Sequence, residues 1–292
     1  MKYNKKDLPF QILNTAFLGI LALTCILPFL QVLAVSLSEA SAVSAGKVNL
    51  IPVGFNFEAY KVSFSKPNFI SSMNNSFMRL FLGVSINTLL TILTAYPLSK
   101  TKREFPGRTL ISWIFVTTML ISGGLVPLYI IVNQTGIDNS IWALILPYAT
   151  PVFNVTILLN FFRGIPKEIE ESAVVDGAGS WRILWVMYVP LSKACLATLV
   201  IFQAVFHWNE WFWGLIFIDK TKFYPLATYM RNVIANPNFE TMNINEITAL
   251  LSVSNRSFSA AQIIIGSLPI LIIYPLLQKY FVLGLTVGAV KE

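Results

Sequence analysis

Apolar residues in this chain are gathered into blocks, and six of them are long enough to cross a bilayer: 12–37, 77–98, 110–132, 141–162, 191–218 and 260–283. A helix needs about 20 such residues to pass a hydrocarbon core roughly 30 Å thick. Composition agrees, with 55% of residues hydrophobic and 12% charged, where soluble domains carry about 25% charge. The pattern predicts an all-α integral membrane protein with six transmembrane helices, organised as a single transmembrane domain over 1–292. The first block exceeds the 7–15 apolar residues of a signal peptide, so 12–37 is expected to be an uncleaved membrane helix. The third is interrupted by Gly123, Gly124 and Pro127. Broken backbone is tolerated at membrane depth only where protein or water satisfies it, which predicts that this helix faces the bundle interior or a cavity.

Charge gives an orientation. Six spans place both termini on one side, with Lys2, Lys5, Lys6, Lys100, Lys102, Arg103, Arg108, Arg163, Lys167, Arg182, Lys193, Lys279 and Lys291. The other side holds Lys47, Lys61, Lys66, Lys220, Lys222, Arg231 and Arg256. Thirteen basic residues against seven put both termini in the cytoplasm. The same bias explains the net charge of +7 without nucleic acid, since no basic helix or aromatic-interleaved patch stands out. Cys25 and Cys195 both lie in apolar blocks, so no disulfide framework is expected. Segments 38–74 and 219–259 then fall outside the cell, and their aromatic content favours ordered structure that touches a partner.

One cytoplasmic connection, 164–190, is acidic, against the positive-inside trend. Pro166 suits a helix start, and Glu168, Glu170 and Glu171 follow where the helix dipole favours anions. Ile165, Ile169 and Ala173 make a narrow apolar stripe, and Asp176-Gly177 signals a stop. Ser180 is placed to cap a second short helix over 181–188, before Pro190 opens the fifth span. A short amphipathic helix, a tight corner and a returning helix make an elbow presented to water.

The spacing Glu171-Ser172-Ala173, Asp176-Gly177-Ala178 and Val189-Pro190 resembles the EAA loop of binding-protein-dependent ABC importers. Leu125-Val126-Pro127-Leu128-Tyr129 with Thr135-Gly136-Ile137, His207-Trp208-Asn209-Glu210-Trp211, and the tail 278–292 resemble MalG-like carbohydrate permeases. Ser122-Gly123-Gly124-Leu125-Val126-Pro127 and Trp142-Ala143-Leu144-Ile145-Leu146-Pro147 resemble the LplC-type branch for complex oligosaccharides. The resemblance implies a type I ABC importer permease fold and a coupling loop made of Glu170, Glu171, Ser172, Ala173, Asp176, Gly177 and Ala178. That loop would insert into a cleft of an ATPase, with Glu171 in contact, Gly177 turning the chain, and Ala173 and Ala178 permitting close approach. Ser172 departs from the family's alanine but stays small. Also implied are a second homologous permease forming a heterodimer, two ATPase subunits and an external solute-binding protein that delivers an oligosaccharide. No phosphate-cradling G-x-x-x-x-G-K-[ST] occurs, so ATP and Mg would be bound by the partner ATPase and this chain would be a non-catalytic subunit without cofactor.

Ionisable groups in membrane helices default to function. Arg79, at the start of the second span, is expected to snorkel outward. The candidate substrate path comprises Gly123, Gly124, Tyr129, Asn154, Trp208, Asn209 and Glu210. Helix packing accounts equally for Asn154, Asn209 and Glu210, and an interfacial belt for the tryptophans; Asn87, Thr88 and Thr156 are open in the same way. His207 and Glu210 form H-x-x-E without further ligands, so no metal is expected. The alternatives are a permease for another small solute, a self-sufficient secondary transporter and an intramembrane enzyme. The spans lack the repeated midplane carboxylates of the second and any nucleophile–base pair for the third.

Overall fold

The computed structural model describes residues 8–235 and 254–289. Its elements are helices: α1 (Leu8–Ser36), α2 (Ala40–Ser44), α3 (Glu58–Ser65), α4 (Pro67–Ser99), α5 (Arg108–Leu120), α6 (Leu125–Gln134), α7 (Trp142–Ile145), α8 (Val152–Arg163), α9 (Lys167–Val175), α10 (Ser180–Ile183), α11 (Val189–Leu191), α12 (Lys193–Asn209), α13 (Phe212–Phe217), α14 (Leu226–Ala235) and α15 (Asn255–Ala289). They fall into two compact units, Met1–Phe69 with Asn232–Leu268, and Ile70–Arg231 with Pro269–Glu292.

In the first unit, α1 buries only its last turn, where Ala34 and Val35 pack with Ala42, Val43, Val48 and Ala260. The rest of α1 is apolar and exposed, as a lipid-facing helix must be. Ala59 and Val62 of α3 pack with Phe258 and Ala261, and the Ser36 hydroxyl meets the Tyr60 hydroxyl at 2.8 Å. The 38–74 segment is thus ordered, as its composition suggested. Residues 236–253 of the other outer segment, and the side chains of the 278–292 tail, lie outside the described residues.

The second unit is built on α4, 33 residues long, or roughly 50 Å at helical rise. Its core joins Ile92, Ala95, Tyr96 and Leu98 of α4 to Val155, Leu158 and Phe162 of α8, Ala173 of α9, Ile183, Leu184 and Tyr188, and Cys195 and Leu199 of α12.

Only α1 and α4 are individually long and apolar enough to cross a membrane among the described residues; three bent helix pairs raise the number to five if each is one span. A count of six continuous spans is therefore not what the backbone draws. The third candidate breaks between α5 and α6 with a bend of 118°, and 13 residues of α5 reach only about 20 Å. The break falls at Gly124, whose φ of 84° and ψ of −173° lie in a region essentially reserved for glycine. Among the described residues, α5 buries none of its side chains within the chain. The fourth candidate bends by 46° between Trp142–Tyr148 and Val152–Arg163, and the chain bends by 81° between Ser180–Leu191, most of it in the acidic connection, and Lys193–Asn209 in the fifth.

Candidate functional site

The acidic connection folds as a hinged elbow. Gly164 ends α8, and Pro166 occupies the cap position before α9. Asp176 closes α9, and Gly177 turns the chain at φ 79°. The Ala178 amide donates to the Ala173 carbonyl at 2.9 Å, and the Gly177 amide to Val174 at 3.0 Å. This is the paired closure of a helix by a left-handed glycine. A Cβ at Gly177 would meet no described atom within 4 Å, so within this chain the demand for glycine comes from backbone conformation.

The returning arm differs from its sequence reading. Ser180 makes no capping bond; Gly179 holds that position. The arm runs through a π-helical turn, Leu184–Tyr188, and on past Pro190 to Leu191. Proline is accommodated in the first turn of α11, and the break comes at Ser192.

The candidate coupling residues separate into two faces. Glu171, Ser172, Asp176 and Gly177 are exposed, beside Val174, Trp181 and Val186, with Val175 at 87% exposure. Ala173 is turned inward at 2% and Ala178 packs against the same core, so their small size serves contact within this chain. Glu170 also turns inward. One carboxylate oxygen pairs with the Lys100 ammonium, and the other accepts from the Tyr188 hydroxyl at 2.6 Å. Burial and that carboxylate push the Tyr188 phenol well above its ordinary pKa, so it remains a donor at physiological pH. Close by, the Thr101 amide donates to Glu104 at 2.7 Å, a contact that holds the Glu104 carboxyl below the usual range. A cleft of about 420 Å³ opens between these groups, lined by Lys100, Arg163, Glu170, Glu171, Val174 and Val175 among others. Sequence reasoning had not singled out Lys100, Tyr188 or the exposed valines as site residues.

Further along α4, Arg79 does not snorkel. It is fully buried; its Nη2 pairs with Glu210 at 2.8 Å and its Nη1 donates to the Glu210 carbonyl at 2.9 Å. The other Glu210 oxygen accepts from the Trp213 amide at 2.8 Å, where the α13 dipole favours an anion. Glu210 is thus committed to joining α4, α12 and α13. Trp208 is buried against Phe77, ring centroids 5.3 Å apart, which removes it from any interfacial belt. Gly83 lies so close to His207 that a Cβ there would sit 2.5 Å from Nε2. Among the described residues no three His, Cys, Asp or Glu side chains gather as metal ligands.

A second cleft, about 500 Å³, is lined by Asn87, Thr118, Tyr148, Asn154, Phe202, Gln203 and Phe206 with neighbouring backbone. Asn87 meets His207 Nε2 at 3.1 Å, and Thr88 donates to Gln203 Oε1 at 3.0 Å. Asn87 Oδ1, Gln203 Nε2 and the Tyr148 hydroxyl are buried without hydrogen-bond partners among the described residues. Aromatic rings lead away from Tyr148: Trp213 at 5.8 Å, then Phe217 stacked on it at 5.2 Å, then Tyr129 stacked at 6.4 Å. Of the candidate path residues, Asn154 lines this cleft and Tyr129 ends the aromatic row. Gly123, Gly124 and Asn209 are exposed elsewhere on the chain.

The described residues thus combine apolar, broken helices, a polar cleft and a hinged acidic elbow. Residues 87–287 match the family of binding-protein-dependent transport system inner membrane components, and the chain belongs to it. It is 36% identical to Protein LplC of Bacillus subtilis (strain 168) over 100% of this chain and 98% of that protein. It is 34% identical to the polygalacturonan/rhamnogalacturonan transport system permease protein YtcP of the same organism, over 98% and 99%. Among solved structures, a bacterial ABC transporter involved in the import of the acidic polysaccharide alginate contains a chain that superposes with a TM-score of 0.88 at 31% identity, covering 96% of this chain and 99% of that one. The chain is therefore a non-catalytic permease component of an ABC importer, and a multi-pass membrane protein. Family membership sets aside the self-sufficient secondary transporter and the intramembrane enzyme.

Proposed function

We propose that this chain forms half of the translocation path of an ATP-driven importer for oligosaccharides released from complex, acidic polysaccharides. The substrate class is supported by the relatives, one named for polygalacturonan and rhamnogalacturonan and another for alginate. Its partners are a second homologous permease, two ATPase subunits that bind ATP and Mg, and an external solute-binding protein. Six membrane crossings, three of them bent, leave both termini and the 164–190 elbow in the cytoplasm.

The observation that carries this reading is the outward face of α9: Glu171, Val174, Val175 and Gly177, exposed around a left-handed corner. A mixed apolar and charged knob on a defined helix is what an ATPase cleft can grip and push. The sugar's route through this subunit runs by the 500 Å³ cleft. Its orphaned amides and phenol suit hydroxyl groups, and Phe202, Phe206 and Tyr148 suit sugar ring faces. Among the described residues no charged side chain lines it, so selection for acidic sugars falls to other components. The test is uptake of a labelled oligogalacturonate into proteoliposomes holding both permeases and the ATPase, with the binding protein outside. ATP-dependent uptake that needs every component supports the reading; uptake by this chain alone, driven by an ion gradient, overturns it.

A further inference from the structure

We propose that Lys100, Glu170 and Tyr188 form a tie that makes the coupling helix α9 move as one body with the far end of α4, so that the two adjacent glutamates divide the work: Glu171 meets the partner and Glu170 passes the displacement on. The inference rests on the docking reading above.

Backbone continuity alone links α9 to α8 on one side and to the Ser180–Leu191 arm on the other; α4 is not its chain neighbour. Lys100 stands one residue beyond the α4 terminus, where the helix dipole already favours a cation. Its ammonium pairs with one Glu170 oxygen and lies 3.3 Å from the Tyr188 hydroxyl. It also sits 4.2 Å above the Tyr96 ring and 4.4 Å above that of Tyr188. The second Glu170 oxygen is filled by Tyr188. Each Glu170 oxygen thus has a partner inside the trio, and charge-assisted bonds of this kind are the directional ones. Beneath it, Tyr96, Phe162 and Tyr188 pack edge to face with centroids 5.1 to 6.4 Å apart, bringing α4, α8 and the returning arm to one point.

The arm is built to deliver Tyr188 there. The π-helical turn of Leu184–Tyr188 ends on that residue, and one extra residue in a turn rotates the side chains beyond it by about 100° against an α-helix. Such turns cluster at functional positions. Lys100 and Glu170 side chains remain 13% and 22% exposed, so the tie sits at the water boundary, where its strength depends on geometry more than on burial. It fixes direction: a push on α9 cannot slide past the α4 end without breaking the Lys100–Glu170 pair, while the Tyr188 bond keeps the returning arm with α9. Lys100 and Tyr188 are positioning residues and touch no substrate.

The test uses the full complex reconstituted in proteoliposomes, with Cys25 and Cys195 replaced by alanine and spin labels on Glu168→Cys and Lys102→Cys. Dipolar EPR reads the distance between α9 and the α4 end without nucleotide and after vanadate trapping. The tie predicts one narrow distance, the same in both states. Lys100→Met should at least double its width while the ATPase still co-purifies, and the exchanged pair Lys100→Glu with Glu170→Lys should narrow it again. Tyr188→Phe, which keeps the aromatic packing, should give an intermediate width. An unchanged width in Lys100→Met in both states overturns the tie. A failure of docking is read separately, as absence of the ATPase from the complex carrying native Lys100 and Glu170.

Discussion

Helix α4 is held by two ion pairs, one near its middle and one just past its last residue, and the two are built in opposite ways. Arg79 and Glu210 lie about 30 Å from Lys100 and Glu170 along the helix, close to the thickness of a hydrocarbon core. The first pair is dry, with side chains 0% and 11% exposed, and is locked further by the Glu210 carbonyl and the Trp213 amide. The second is partly open to water and leans on rings. Removing one partner from a buried pair strands a charge, whereas an accessible pair contributes little to stability. The difference teaches that one chemistry serves two positions: a fixed brace at Arg79, and at Lys100 the proposed joint, which is more open to water.

The largest expected effect is at the joint's outward face. Gly177→Arg places a long cation on a left-handed corner at the proposed docking surface, and transport should fall to background while the protein stays in the membrane. Uptake assays with an immunoblot of the membrane fraction check this, and normal import would show that the elbow is not the docking site. Next, Arg79→Leu should destabilise the chain by about 3–5 kcal/mol, seen as a lower melting temperature in detergent. Replacing Arg79 and Glu210 together by leucine should recover most of that loss. By contrast Lys100→Met, at the water boundary, should cost clearly less than Arg79→Leu in the same melt, despite its proposed effect on coupling. If it destabilises as much as Arg79→Leu, the two pairs are the same device and the contrast is lost. Gln203→Leu, which removes a polar group of the proposed path together with the acceptor of the Thr88 hydroxyl, should raise the KM for uptake several-fold. The smallest effect belongs to Gly177→Asn, since asparagine tolerates positive φ; transport should stay within about twofold, separating conformational demand from bulk.

The elbow was legible because its signals are local. Pro166, the acidic first turn and Asp176-Gly177 each act within a turn of the chain, and all lie where their chemistry placed them. The blocks that cross the bilayer were legible as composition, but their direction was not. A hydropathy window cannot see that Gly124 reverses the third block, or that Ser192 turns the fifth. Long-range partners were hidden for a different reason. Arg79 reads as a snorkelling arginine until Glu210, 131 residues away, is brought beside it. Glu170 reads as a second docking glutamate until Lys100, 70 residues back, claims it. Ala173 reads as room for a partner, yet fills the chain's own core. The cleft's polar lining was visible only as scattered Asn and Gln within apolar runs.

The most direct measurement is a crosslink from Val175, the most exposed of the elbow's large apolar residues. Val175→Cys in a chain with Cys25 and Cys195 replaced by alanine, assembled with its ATPase and treated with a short thiol crosslinker, should join the ATPase in a yield that changes when ATP is bound. Labelling of that cysteine by a membrane-impermeant maleimide added outside intact cells, with no adduct to the ATPase, would contradict the account.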